Sequence, residues 1–242
     1  YNNKEFNKSA SIVDIAKKSG YNTYWFSNQG KIGIYDTPIT LVAETSDVVK
    51  FGGSSVYDEG LLQHLKNIDK QKNNFIVLHI MGSHIDYNNR YPKEFRKFTP
   101  TCDTNEIQDC DHQALMNTYD NTILYTDSVV SKTIDALKAR QSSMNTALIY
   151  LSDHGESLGE SGIYLHGTPY MLAPEQQTHI PFMFWLSPDY AKNFGINEQC
   201  LRDHAAKNAV SQDNLFSTVL GMMDVKSTVY QQQLDILNAC RH

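Results

Sequence analysis

Two apolar runs that break directly into glycine-containing polar loops constrain this chain more than any other feature. Phe75-Ile76-Val77-Leu78-His79-Ile80 leads into Met81-Gly82-Ser83-His84, and Thr146-Ala147-Leu148-Ile149-Tyr150-Leu151 leads into Ser152-Asp153-His154-Gly155. An apolar run without alternation is the pattern of a strand covered on both faces, as in a parallel sheet between helix layers. The intervening segments read differently. Ser11 to Gly20 has apolar residues at 12, 15 and 16 between a Ser start and a Gly stop, which predicts a short helix. Tyr57 to Ile68 puts Leu61, Leu62 and Leu65 on one side, and His112 to Arg140 keeps a helical period through 115, 116, 119, 123, 124, 130, 134 and 137. Tyr21 to Phe26, Asp47 to Phe51 and Ile180 to Leu186 read as further strands, and Asp213 to Met223 as a late helix. The alternation predicts a three-layer α/β/α sandwich around a largely parallel sheet. No seam divides residues 1–242, so one domain is expected. Reactive loops of such sheets lie at the carboxyl ends of the strands, where both polar loops fall.

Composition narrows the function. A net charge of -6, with 21 Lys and Arg scattered singly or in pairs such as Lys17-Lys18, argues against nucleic acid as a partner. No apolar run approaches the roughly 18 residues of a membrane span. The chain opens at Tyr1 without a signal peptide, and we expect a processed fragment whose targeting or anchoring segment lies upstream. Cys102 and Cys110 bracket a polar loop, and Cys200 and Cys240 flank the C-terminal segment. No CxxC or CxxH spacing points to a zinc knuckle. Two disulfides in an oxidising compartment are favoured over four free thiols.

Asp153 and His154 offer a carboxylate oxygen and an imidazole nitrogen at a strand end, a donor pair that suits Zn²⁺ or Mn²⁺. Gly155 permits the turn that lets both converge, and Glu156 and Glu160 stand close by as further acid ligands or as partners that support the ligands, Glu156 also as a contact to substrate or a second metal. The plainer alternative is a capping Asp beside a hydrogen-bonded His. His84, in the turn after the earlier apolar run, and His166, in Tyr164-Leu165-His166-Gly167-Thr168-Pro169, shift the balance toward one site. Neutral imidazoles bind a second metal; protonated ones clamp a phosphate. His79, inside a predicted strand, reads as a structural core residue, and His112 as a helix start. His64, His179, His204 and His242 have no context that singles them out.

The block Ser152-Asp153-His154-Gly155-Glu156-Ser157-Leu158-Gly159-Glu160-Ser161-Gly162, followed by Tyr164-Leu165-His166-Gly167, resembles the signature of the phosphoethanolamine transferases. These belong to the alkaline phosphatase/sulfatase superfamily and include the lipid A-modifying enzymes behind polymyxin resistance. His79-Ile-Met-Gly-Ser-His84, Arg90-Tyr91-Pro92, Phe98-Thr99-Pro100-Thr101-Cys102, Cys110-Asp111-His112-Gln113, Tyr119-Asp120-Asn121 and Ser211-Gln212-Asp213-Asn214-Leu215-Phe216 follow that family in order, so the similarity covers nearly the whole chain.

The resemblance implies an inner-membrane enzyme whose catalytic domain faces the bacterial periplasm. Such an enzyme moves phosphoethanolamine from a phosphatidylethanolamine donor to lipid A or another envelope acceptor, through a zinc-activated covalent Thr. It further implies that Asp153 and His154 bind the catalytic zinc. His84 and His166 would hold the phosphoethanolamine group or a second zinc, so one or two Zn²⁺ are expected. The family's nucleophilic Thr and Glu ligand precede the Ser9-to-Gly20 helix and are expected upstream of Tyr1. Thr23, Thr37 and Thr40 stand in the wrong context to replace them. Trp25-Phe26-Ser27-Asn28-Gln29-Gly30 resembles one branch of the family but lacks the Asp-Asn-Asn run of the lipid A-modifying branch best known for resistance, leaving Asn28 as either a substrate contact or a turn residue. A phosphodiesterase or sulfatase-like hydrolase, and a metal-free envelope binding module, are the alternatives.

Overall fold

The computed structural model describes residues 9–31, 38–52, 56–207 and 209–241; Tyr1, Thr37 and His242 lie outside them. In chain order it forms α1 (Ile12–Lys18), β1 (Asn22–Ser27), α2 (Ile39–Glu44), β2 (Val48–Phe51), a 3₁₀ helix over Asp58–Asn67 and β3 (Asn74–His79). There follow α3 (His112–Lys138), β4 (Ala147–Leu151), β5 (Ser157–Leu158), β6 (Tyr164–Leu165), α4 (Glu175–Thr178) and β7 (Phe182–Leu186). The chain then runs through α5 (Pro188–Asn193), α6 (Glu198–Lys207) and α7 (Asp213–Met222).

The predicted elements recur for identifiable reasons. Ser11 opens α1 with a capping box: its hydroxyl accepts from Asp14 N at 3.1 Å, and the Asp14 carboxylate accepts from Ser11 N at 2.9 Å. Gly20, at φ 87°, stops it. Asp111 caps α3 by accepting from the Gln113 and Ala114 amides, which makes His112 the first helical residue. The Tyr57-to-Ile68 segment buries Leu61 and Leu65 as expected, but as a 3₁₀ helix.

β1 lies between β2 and β3 in a parallel three-stranded sheet, with Trp25 level with Val49 on one side and Val77 on the other. β4 pairs with β7 instead, antiparallel, and β5 with β6 form a small hairpin. The mixed α/β class with a parallel sheet is as the alternation predicted. The expectation that both apolar strands are covered on both faces is not met: every residue of β3 and of β4 is only partly buried. The reason is topological. β3 has β1 on one edge and β4 has β7 on one edge, and among the described residues no strand pairs with the other edge of either.

The core is correspondingly divided. Tyr24, Phe26, Leu61, Leu65 and Ile68 pack with Ile76 and Leu78 beneath Ala136 of α3, while Tyr190, Ala191, Ile196 and Leu237 pack against Ala147, Phe184 and Leu186. The most buried stripe of α3 is largely polar, and Ile123 of its predicted apolar face is exposed. Asn117, Thr118 and Asn121 turn inward because they pair with the extended segment 97–102. Asn121 Oδ1 accepts from the Lys97 and Phe98 amides, Asn117 donates to Pro100 O, and Thr118 Oγ1 accepts from Cys102 N. Burial is tolerated there because each polar atom is matched.

Both disulfides form: Cys102–Cys110 and Cys200–Cys240, with Cα–Cα separations of 5.7 and 5.5 Å. Among the described residues no helix is long and apolar enough to cross a membrane.

Candidate active site

The turn after β4 carries the principal cluster. Ser152 Oγ donates to His154 O at 2.7 Å, and Gln212, just before α7, donates through Nε2 to Asp153 O at 2.6 Å and Ser152 O at 3.3 Å. The turn is thus pinned from within and from the C-terminal segment. Gly155 is required here, though for a reason other than backbone freedom. Its φ is outside the left-handed region, but a Cβ would lie 2.0 Å from the carbonyl oxygen of Gln176. That approach lets Gly155 N donate to Gln177 O at 3.0 Å. The Gln177 amide in turn donates to Ser157 Oγ at 2.9 Å.

Three predicted residues meet. Ligand atoms of His154, Glu156 and His166 all lie within 4.8 Å of one another, and the two imidazoles stack with centroids 3.7 Å apart. His166 Nδ1 is 2.8 Å from Glu156 Oε1. The Glu156 side chain is buried, and its Oε2 has no hydrogen-bond partner among the described residues. His154 Nδ1 faces Gly155 O at 2.9 Å. A carbonyl only accepts, so Nδ1 carries a proton, and in the neutral ring it is Nε2 that holds the lone pair. That free nitrogen lies 3.8 Å from Asp153 Oδ2, on a side chain that is 86% exposed. Two ligands each ~2.0–2.1 Å from one tetrahedral ion stand roughly 3.3 Å apart, so a small movement of Asp153 brings the pair to ligating geometry. The residues present therefore fit a zinc ion: an imidazole whose outer nitrogen has no partner but Asp153 among the described residues, an exposed carboxylate that commits Oδ1 to His154 N at 3.1 Å and keeps Oδ2 available, and a buried acid with an unmatched oxygen.

The other predicted residues fall outside this cluster. His84 is exposed in the turn after β3, where Nδ1 contacts Ile85 O and Arg90 Nε donates to His84 O at 2.8 Å. Ser83 links that turn to α3 through a hydroxyl–hydroxyl hydrogen bond of 2.7 Å with Thr122. Asn28 spends its amide on Asp58 Oδ1 at 2.9 Å. Glu160 accepts from Leu158 N at 2.7 Å and so organises its own turn. His79 sits in β3 with Nδ1 2.9 Å from Ser27 Oγ, edge-on to Trp25. Burial holds its pKa below the ordinary imidazole value, against the opposing pull of Asp153 and Asp58.

Two features escape a linear reading. Asp58 is buried and accepts from Met81 N and Gly82 N, both at 2.8 Å, as well as from Asn28; it fixes the turn that carries His84. An Asp in the Tyr57-to-Ile68 segment looks like a helix-start residue, and nothing local announces its partners. Tyr87 and Tyr119 meet edge to face at 5.3 Å and flank Glu156. Burial, and then the Glu156 charge, push the Tyr119 phenol up to about 12 and the Tyr87 phenol higher still. Both hydroxyls therefore stay protonated.

A sulfatase family model matches residues 1–225. The fold is closely that of the soluble domain of lipooligosaccharide phosphoethanolamine transferase A from Neisseria meningitidis. That match has a TM-score of 0.90 and 38% identity over 100% of this chain and 74% of that one. The chain belongs to the phosphoethanolamine transferases of the sulfatase family. Within that family it is 48% identical over 235 residues to phosphoethanolamine transferase EptA of Salmonella typhimurium, covering 95% of this chain and 43% of the relative. It also matches the C-terminal periplasmic domain of EptC from Campylobacter jejuni, with 44% identity, 96% of this chain, 72% of that one and a TM-score of 0.81. This transferase-family chain thus spans under half the length of the curated relative.

Proposed function

We propose that this chain forms the zinc-binding part of the catalytic domain of an enzyme that transfers phosphoethanolamine from phosphatidylethanolamine to lipid A or another cell-envelope acceptor. The observation that carries the reading is the convergence of His154, Glu156 and His166, with Asp153 beside the free nitrogen of His154, at a strand end of a sulfatase-family fold. Asp153 and His154 would hold the ion. Bound there, zinc would supply positive charge for the phosphoryl oxygens and lower the pKa of an attacking hydroxyl. His166, with Nδ1 on buried Glu156, keeps Nε2 to bind a second zinc or, in the protonated ring, to donate to a phosphoryl oxygen, and exposed His84 is a further anionic-group contact. Asn28 is engaged with Asp58, which favours a positioning role over substrate contact.

The nucleophilic Thr and the Glu ligand belong, in this proposal, to polypeptide before Tyr1. The edges of β3 and β4 that no described strand pairs are in keeping with that arrangement, since they leave backbone for a further strand to bond. The same upstream polypeptide would anchor the enzyme in the bacterial inner membrane, with this domain in the periplasm. Two disulfides are in keeping with that oxidising compartment.

In the parent protein, Asp153→Asn, His154→Gln and His166→Gln should each lower transfer about 100-fold or more, as loss of a metal ligand or charge-stabilising donor does. Mass spectrometry of the acceptor lipid provides the readout. Phosphoethanolamine released to water at the rate of donor consumption would establish a hydrolase instead. The 242-residue chain alone should bind zinc weakly and turn over nothing; efficient single-turnover labelling of it by a phosphoethanolamine donor would refute the placement of the nucleophile.

A further inference from the structure

The loop between His166 and α4 carries Tyr170, Met171 and Leu172 at 85%, 96% and 74% exposure. Apart from Val56 at 80%, the other exposed large apolar residues among those described are at 50% or below. Three consecutive bulky apolar side chains standing in water need an explanation that scattered single ones do not. The loop is also ordered by its own bonds. Leu172 N donates to Pro169 O at 2.7 Å, prolines at 169 and 174 bound the tip, and no formal charge occurs from Gly167 to Pro174. Exposed Glu175 and His179 stand immediately behind it. An apolar tip backed by a polar shoulder matches the boundary between acyl chains and headgroups, where Tyr is enriched.

We propose that Tyr170, Met171 and Leu172 form a lipid-contacting tip that enters the bilayer interface and sets the histidine cluster at headgroup level. The inference rests on the reading that the donor is a phospholipid. A protein partner fits less well, because a stable interface needs about 800 Å² per partner and three side chains of one loop fall far short. The tip is mechanically tied to the site. Thr168 N donates to Gln177 Oε1 at 3.3 Å, Gln177 Nε2 donates to Ser157 Oγ, and Gly155 N donates to Gln177 O. Seating the tip therefore seats the turn that carries Asp153 and His154.

The test uses the 242-residue chain with two kinds of vesicle: phosphatidylcholine alone, and phosphatidylethanolamine mixed with phosphatidylglycerol. The wild type should cosediment with both, since apolar insertion is indifferent to the headgroup. The triple variant Tyr170→Ser, Met171→Ser, Leu172→Ser should partition about tenfold less, with its melting midpoint unchanged because the tip is outside the core. A Met171→Trp variant should be quenched by brominated acyl chains beyond the Trp25 and Trp185 background. Equal partitioning of wild type and triple variant, or no added quenching, overturns the proposal. In the parent enzyme the triple variant should raise KM for vesicular donor and leave turnover of a short-chain soluble donor unchanged. A parent that transfers from neither donor while the chain still inserts overturns the donor reading alone; intact transfer with unaltered KM overturns the tip alone.

Discussion

Replacing Gly155 with Ala separates two reasons for a glycine and measures how tightly the turn after β4 is packed. Were conformational freedom the reason, the substitution would cost little here, because φ at 155 is already accessible to any residue. It would even stabilise by about 0.4–1 kcal/mol through the unfolded chain. The structure predicts the opposite sign. The new Cβ meets Gln176 O at 2.0 Å and Gln176 C at 3.0 Å, both main-chain atoms of a turn closed by His179 N donating to Glu175 O. Relief requires roughly an ångström of separation, at an overpacking cost of about 1–3 kcal/mol. The Gly155 N to Gln177 O bond is stretched as well, for about 1 kcal/mol more. After the entropic offset the net loss is about 1.5–3 kcal/mol, or roughly 4–9 °C in Tm for a chain of this size. Gly30→Ala is the internal control. Gly30 has ordinary φ, and a methyl group added to it would meet nothing within 4 Å, so its Tm should hold or rise slightly. Calorimetry on the two variants decides the matter. A Gly155→Ala protein melting within a degree of wild type, or a Gly30→Ala protein falling equally, would refute the packing argument.

The two disulfides should contribute unequally. Closing the loops of sequence separation 8 and 40 gives about 2.5 and 4 kcal/mol on chain-entropy grounds. Paired Cys→Ala replacement at 200 and 240 should therefore lower Tm more than replacement at 102 and 110, and the reverse order would count against that account. Glu156→Gln keeps the shape that orients His166 but removes the charge; zinc affinity by titration calorimetry should fall about 10–100-fold, with unchanged affinity as the contrary result. His79 gives a pH signature. Its folded pKa lies below the unfolded value of about 6.5, so the unfolded chain binds the proton more readily and stability falls as pH drops below that value. The acid-side fall in Tm should be shallower for His79→Gln, and an identical slope would place its origin elsewhere.

The helices and strands were legible where local chemistry is strong. Ser11 with Asp14, Gly20 and Asp111 mark helix ends through bonds to their own neighbours. Sidedness was less legible. The repeat of apolar residues in 112–140 is real, yet Asn117, Thr118 and Asn121 occupy the buried stripe because segment 97–102 supplies their partners. No periodicity rule weighs a polar side chain by a partner some 20 residues away. The apolar runs of β3 and β4 do form strands, but partial burial of every residue in both accompanies an edge that no described strand pairs, which an apolar run does not disclose.

The site divides along the same line. His154, Glu156 and His166 share one short block, so their meeting follows from a turn and a two-stranded hairpin in which Ser157 lies opposite Leu165. What holds them does not. Gln212 reaches Asp153 from the far end of the chain, and Gln177 supports Ser157 from α4. Asp58 steadies the Met81-Gly82 turn from the 3₁₀ helix that precedes β3. Several residues of the recognisable motifs therefore serve the scaffold: Gln212 by bonding the turn after β4, Asn121 by clamping residues 97 and 98, Gly155 by giving way to a carbonyl. A motif match alone assigns them all to chemistry. The bonds sort them, and they leave Asp153 Oδ2, the outer nitrogen of His154, the Glu156–His166 pair and exposed His84 as the candidate groups for a ligand.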